Sequence, residues 1–221
     1  MNFDYIDENI VKEYPTIIEY NGDDGYKIHE CISKMCTDLT KEEIQFIDER
    51  TFSMNHVGKG FYDSFVKKNI YMPAIHTDAT PLAYCIWEEI VMPLLELNNY
   101  DKMTKYLLLA VELEKHSEKK CSYIYFVFDY FMRKKKEDVE NYFKWSLIYL
   151  DACCKFNNKM YPSETKKYVT VFNDLLKSGR NSDAWLVVNY FCNATISEPI
   201  LNEEWKKRRE KQLKMEGYVK N

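Results

Sequence analysis

Six glycines and six prolines in 221 residues leave this chain few places to turn. A fold of many short strands needs turn formers at regular, close intervals, so their scarcity favours long helices. The remaining sequence agrees, because 46% of the residues are hydrophobic and the apolar ones recur at the spacing of a helix face. A chain of this length can also bury a sizeable core.

Helix-start signals divide the chain consistently. Thr40 followed by Glu43 is a capping-box pair, in which the hydroxyl accepts the Glu43 N–H and the glutamate reaches back. It predicts a helix over 41–54, with Ile44, Ile47 and Met54 along one side. Ile28, Cys31, Ile32 and Met35 recur at i, i+3, i+4 and i+7, which reads as a helix over 25–36 capped by Asp23 or Asp24. The competing reading pairs Thr16–Tyr20 with Tyr26–Cys31 as a hairpin around "NGDDG". Beyond Pro81 the pattern predicts helices over 82–97, 101–115, 119–134, 138–156, 163–178, 182–193 and 199–215, with Pro93 kinking or splitting the first.

Two of these helices echo two others. "KYLLLAVE" (105–112) aligns with "KWSLIYLD" (144–151), and "VFDYFMRK" (127–134) with "VFNDLLKS" (171–178). The offsets of 39 and 44 residues suit a helix–turn–helix repeat of the HEAT or armadillo kind. The expected fold is all-α, with stacked antiparallel helices forming either such a repeat or an irregular bundle. A single domain over 1–221 would hold an acidic part (1–70), a helix-pair stack (82–193) and a basic terminal helix (199–215).

Charge is unevenly spread although the net value is only -4. Residues 1–50 carry 13 acids against five bases, whereas 200–221 carry seven bases against four acids. The N-terminal quarter is expected to offer an acidic surface to a partner, through Asp23, Asp24, Glu42, Glu43, Asp48 and Glu49. Seven cysteines, odd in number and without a CxxC pair, read as reduced thiols. The acidic start "MNFDYIDENI" is unlike a secretory signal, and no apolar run reaches the roughly 18 residues of a membrane span. The expected setting is the cytoplasm, away from membranes.

Segments with a chemical look have plainer readings. "NHVGKGFYDSF" (55–65) has a histidine and two glycines around a lysine, but lacks the spacing and the Ser or Thr of a phosphate-binding loop. Gly58 and Gly60 read as helix-ending residues and Asp63 as a cap. His29 and Cys31, two apart, point about 200° away from each other on a helix, and Cys31 with Cys36 is splayed too. His76 and His116 have no ligand partner at metal spacing, so neither a metal nor any other cofactor is expected. Cys85, a candidate nucleophile with His56 or His76, sits at a core position of an apolar helix. No catalytic residue is assigned. "WKKRREKQLK" (205–214) could track phosphates with Trp205 as a stacking platform, but reads better as a solvated helix whose Glu203 and Glu204 pair with bases one turn on. Nucleic acid is therefore an unlikely partner. The 18 tyrosines, several on different faces of "CSYIYFVFDYF", suggest exposed aromatic anchors for a protein partner.

"IWEEIVMPLLELNNYDKMTKYLLLAVELE" followed by "VENYFKWSLIYLD", spanning about 82–156, resembles small helical immunity proteins of bacterial polymorphic and contact-dependent growth-inhibition toxin systems. The resemblance lies in an aromatic-acidic "WEE" start, an apolar helix and repeated "LE" helix ends. It implies a non-catalytic protein that binds a co-encoded toxin domain and blocks it. An acidic surface would suit a basic nuclease domain. A helical-repeat scaffold or adaptor is the alternative, followed by an RNA-binding protein or an enzyme using the 55–65 loop or the 205–214 cluster.

Overall fold

The computed structural model describes residues 35–47, 80–193 and 199–215. The expectations for residues 1–34, including the choice between helix and hairpin, and for 48–79, including the "NHVGKGFYDSF" loop, lie outside the described residues. Every regular element among the described residues is a helix, and the protein is all-α. Helix α1 covers 41–47. Helix α2 is one run in three pieces, Pro81–Cys85, Ile86–Val91 and Met92–Glu96. Then come α3 (Tyr100–Leu113), α4 (Ser117–Arg133), α5 (Val139–Lys155), α6 (Pro162–Lys177), α7 (Asn181–Asn193) and α8 (Pro199–Met215). From α2 onward each bound falls within a residue or two of the sequence expectation.

Pro93 neither splits nor ends α2. Its ring would collide with the carbonyl of Glu89 in a regular α-helix and it has no N–H to offer. The chain answers by widening to a π-helix over Ile86–Val91, after which the Met92 N–H reaches Trp87 O. The helix stays continuous, and Ile86, Ile90, Val91, Leu94 and Leu95 remain buried along it.

Helix ends explain how the chain manages with so few glycines. Asn98 (φ 57°), Asn157 (φ 51°) and Gly179 (φ 72°) take the left-handed conformation just past α2, α5 and α6. The next N–H then turns back onto the helix, Asn99 N to Leu94 O (2.9 Å), Asn158 N to Cys153 O (2.9 Å) and Arg180 N to Leu175 O (2.9 Å). Asparagine tolerates this conformation because its short amide can bond locally, so it substitutes for glycine as the stop. Helix starts are set by Asn99, which accepts from the Lys102 N–H (3.4 Å), and by Asp138, which accepts from the Asn141 N–H (3.1 Å).

The contacts group the chain into two compact units, Met1–Tyr123 and Ile124–Asn221, with the division falling inside α4. In the first unit α2 packs along α3. Glu114, just past α3, is its fixed point. Its buried carboxylate accepts the Thr80 N–H (3.0 Å) and hydroxyl (2.9 Å), the Tyr123 hydroxyl (2.8 Å) and the His116 N–H (3.0 Å), and it meets His116 Nδ1 at 2.8 Å. The start of α2, the end of α3 and the first turns of α4 are thereby tied to one group. In the second unit α5 packs on α6, α6 on α7, α7 on α8, and α5 also on α7.

The burial pattern follows the aligned segments. Tyr106 and Trp145 are both buried, Leu108 and Leu147 both half-buried, Glu112 and Asp151 both exposed. Val127, Phe128 and Phe131 of α4 are buried, as are Val171, Phe172 and Leu175 of α6 at the 44-residue offset.

Burial pushes the Glu114 pKa up, but the hydrogen bonds from His116, Tyr123 and Thr80 outweigh it and hold the carboxyl below the ordinary glutamate value of 4.5. Its stabilising contribution is therefore complete above pH 4.5 and is lost as pH falls through the lower folded value. Glu114→Gln, which presents a donor to a ring of donors, should cost about 2 kcal/mol or more in urea unfolding at neutral pH. The gap between variant and parent should narrow below pH 4.5; a gap constant from neutral to strongly acid pH would remove Glu114 from this role.

Candidate functional site

The acidic residues expected to meet a partner divide into three groups. Asp23, Asp24, Asp48 and Glu49 lie outside the described residues. Glu42 is exposed on α1. Glu43 points inward: its carboxylate accepts the Thr40 N–H (2.7 Å), Asn99 Nδ2 (2.5 Å) and Lys102 Nζ (2.7 Å), while its own N–H completes the capping box on the Thr40 hydroxyl (3.2 Å). Asp38, although exposed, also reaches α3, pairing with Lys105 (2.8 Å) and accepting the Tyr106 hydroxyl. The described end of the acidic quarter thus uses two of its carboxylates as tethers to α3. The capping box was expected, and its extension to Lys102 was not legible in the sequence. Ile44, expected on the apolar side of α1, is 45% exposed because Glu43 and Ile47 take the inward positions.

Titratable groups elsewhere are also turned inward. Burial, joined by the nearby Glu89 and Glu88, pushes the Cys85 thiol well above its ordinary range. His116 is bound to Glu114, while His29, His56 and His76 lie outside the described residues. Among the described residues no His, Cys, Asp and Glu side chains gather as a metal site, and no helix is long and apolar enough to cross a membrane. Among the described tyrosines Tyr161 is 70% exposed, Tyr125, Tyr130 and Tyr190 are half-buried, and Tyr106, Tyr123, Tyr142, Tyr149 and Tyr168 are buried in the core. Length, more than chemistry, places them there, because tyrosine fills the space between helices and its hydroxyl reaches a polar rim.

Helix α8 carries its charges as a solvated helix does. Lys206 pairs with Glu203 (2.8 Å, three residues on) and Arg208 with Glu204 (3.2 Å, four residues on). Trp205 is no stacking platform, since it is fully buried with its ring 4.5 Å from Phe191 and edge-on to Phe172 at 5.8 Å.

An open surface of a different kind lies between α5 and α7. Leu147, Leu150, Asp151 and Cys154 form an i, i+3, i+4, i+7 stripe on α5, and Leu186, Asn189, Tyr190 and Asn193 form the same stripe on α7. Together they line an open groove of about 470 Å³. The short connections at 156–161 and 178–180 make α5–α6 and α6–α7 antiparallel pairs, so α5 and α7 run in the same direction. Leu186 is 58% exposed, whereas Leu150 is buried beside it. Asp151 is exposed and has no ion pair among the described residues. The Asn189 Oδ1 is buried and receives no donor from them.

The sequence reading missed this groove, although its own alignment points there. Extending the 39-residue offset once more places Leu186 under Leu147, as Leu147 lies under Leu108. The four groove positions of α7 follow those of α5 at that same offset.

The chain matches no protein-family model, no curated protein and no solved structure.

The groove makes a test of what is surface and what is core. Leu186→Ser should leave stability within about 0.5 kcal/mol, as surface changes do. Leu150→Ala, in the same groove but 5% exposed, should cost about 2–4 kcal/mol. Equal losses in denaturant titrations would mean that Leu186 is packed in solution.

Proposed function

We propose that this is a non-catalytic protein-binding protein of the bacterial cytoplasm, most concretely an immunity protein that occupies and neutralises a basic toxin domain. The observation that carries the binding reading is the α5/α7 groove. Two helices present matching stripes, a leucine stands 58% exposed, and a carboxylate and an amide oxygen beside it lack partners among the described residues. Glu43, Glu114 and Asp129, by contrast, are already engaged: burial pushes each carboxyl up, but its hydrogen bonds and neighbouring cations or donors outweigh this and hold it below its ordinary range. The toxin reading comes from the "WEE" and "LE" pattern of 82–156 and from the surplus of acids in residues 1–50.

The recurrence of leucine at 108, 147 and 186 favours a second reading, a helical-repeat scaffold that binds extended partners along its stack. The two readings differ in what protects a cell. Co-expression with the toxin domain of the neighbouring gene should rescue growth if the immunity reading holds. Association should slow as salt rises, because acids steer a basic partner over a reach of about 8 Å at physiological ionic strength. Charge reversal at exposed Glu42, combined with Asp23, Asp24 and Glu49, should lower the association rate several-fold, and Lys207→Glu with Lys211→Glu should leave it nearly unchanged. Rescue lost only in the lysine variants would put the wrong face forward and favour an acidic partner. No rescue by the parent chain would end the immunity reading.

A further inference from the structure

The groove also specifies what should fill it. Helices α5 and α7 already hold α6 against them on one side, since α6 packs on both and α5 packs on α7. Two helices running in parallel, each with an i, i+3, i+4, i+7 stripe, form a furrow of the pitch that a third helix fills by setting its ridges into theirs. The stripes span two turns, about 10 Å of helix. Among the lining residues the charged side chain is Asp151, and the buried Asn189 Oδ1 is an acceptor without a donor among the described residues.

We propose that the α5/α7 groove is the docking site for an amphipathic helix of the partner, which lays two aliphatic side chains one turn apart on Leu147, Leu150 and Leu186 and directs an arginine toward the exposed Asp151. Arginine fits better than lysine because its planar fork pairs with a carboxylate through two donors and is more weakly hydrated than an ammonium. The basic character of the occupant follows from the lining itself, an exposed carboxylate with no cation among the lining residues. This rests on the protein-binding reading and adds the seat and chemistry of the contact.

Cys154, exposed at one end of the α5 stripe, provides the reporter. Four helical peptides of about three turns, each supplied as the mixed disulfide of a terminal cysteine with a small thiol, would compete for Cys154, whose thiolate displaces the small thiol; an excess of that thiol keeps the exchange reversible, so that occupancy reports equilibrium. They carry Leu/Leu/Arg, Leu/Leu/Glu, Ser/Ser/Arg or Ser/Ser/Glu at the docking positions, and Cys154→Ser gives the background. Mass spectrometry should show the Leu/Leu/Arg peptide captured at least about tenfold over each of the others, a margin worth about 1.4 kcal/mol. Asp151→Lys should turn the preference to Leu/Leu/Glu, and Leu186→Ser should erase the preference for leucine over serine; both sites are exposed, and circular dichroism would verify that each variant stays helical. Equal capture of the four peptides, or a preference that survives both substitutions, would overturn the proposal. A dimer of the parent chain in sedimentation that Leu186→Ser dissolves would give the groove to a second copy and overturn it equally. The same variants separate this inference from the function it rests on. Toxin rescue intact in Asp151→Lys and Leu186→Ser would leave immunity standing and remove the groove as its seat. Selective capture without rescue by the parent chain would keep the groove and end the immunity reading.

Discussion

One aromatic ring from each helix of the second unit joins a continuous file, and the positions of those helices follow from it. Phe128 of α4 stacks on Tyr149 of α5 (5.7 Å) and Tyr168 of α6 (5.4 Å). Tyr168 meets Phe191 of α7 (5.3 Å), and Phe191 lies nearly parallel to Trp205 of α8 (4.5 Å). Rings of this size prefer offset or tilted contacts, so a helix cannot rotate or slide by one residue without breaking two of them. The file also accepts a cost. The Trp205 indole N–H is buried without an acceptor among the described residues, and so is that of Trp145. Area buried by the two rings exceeds that loss, and a phenylalanine at either place would leave a void. At the rim of the file the Tyr168 hydroxyl donates to Ser146 O (2.5 Å), and Lys167 Nζ reaches the Tyr125 hydroxyl (2.5 Å) and Asp129. Polar ends fix the depth of the rings while the faces fix their order.

Helix placement was legible in the sequence because it is local. Caps such as Thr40 and Asp138, prolines in the first turn such as Pro162, and the 3.6-residue apolar spacing each act within a few residues. What failed depended on contacts far apart in the chain. The apolar Ile44 yields the inward position to Glu43 only because Asn99 and Lys102 wait there, 56 and 59 residues away. The solvated character of 205–214 was legible from its charges, but no local signal shows that Phe172 and Phe191 enclose Trp205. Tyrosine was ambiguous for the same reason, since its ring and its hydroxyl argue for opposite environments and only the neighbours decide. The π-turn before Pro93 is an intermediate case. The conflict at Pro93 was legible, but whether the chain would kink, break or widen was set by the apolar residues that keep both halves of α2 against α3.

Charge follows a similar division. Of the acids that colour the N-terminal quarter, Asp38 and Glu43 are bound to α3, and farther along the chain Glu114, Asp129 and Asp174 also hold elements together. A sequence count treats all of them as surface field. Asp38, Glu43, Asp129 and Asp174 each face a lysine that balances them, so a partner meets unbalanced negative charge chiefly at acids without such a partner among the described residues, such as Asp151.

The groove is where these two lessons meet. In a run of antiparallel helices each odd-numbered helix meets the next one along a face that the intervening helix does not cover, and that face is left to solvent or to a partner. Within the second unit a register of 39 residues puts a leucine on it twice, at 147 and 186, half-buried on α5 and well exposed on α7. Helical folding alone asks for nothing at such a position, and a lysine or glutamate there would be cheaper in solubility. The neighbours at the same register differ, Leu150 with Asp151 and Asn189 with Tyr190, so each helix offers its own pairing of groups beside its leucine. Packing requirements account for the buried aromatic file but not for this outward row. A recurring apolar residue flanked by varied polar ones is what a surface needs when contact is generic and selection is made at its edges.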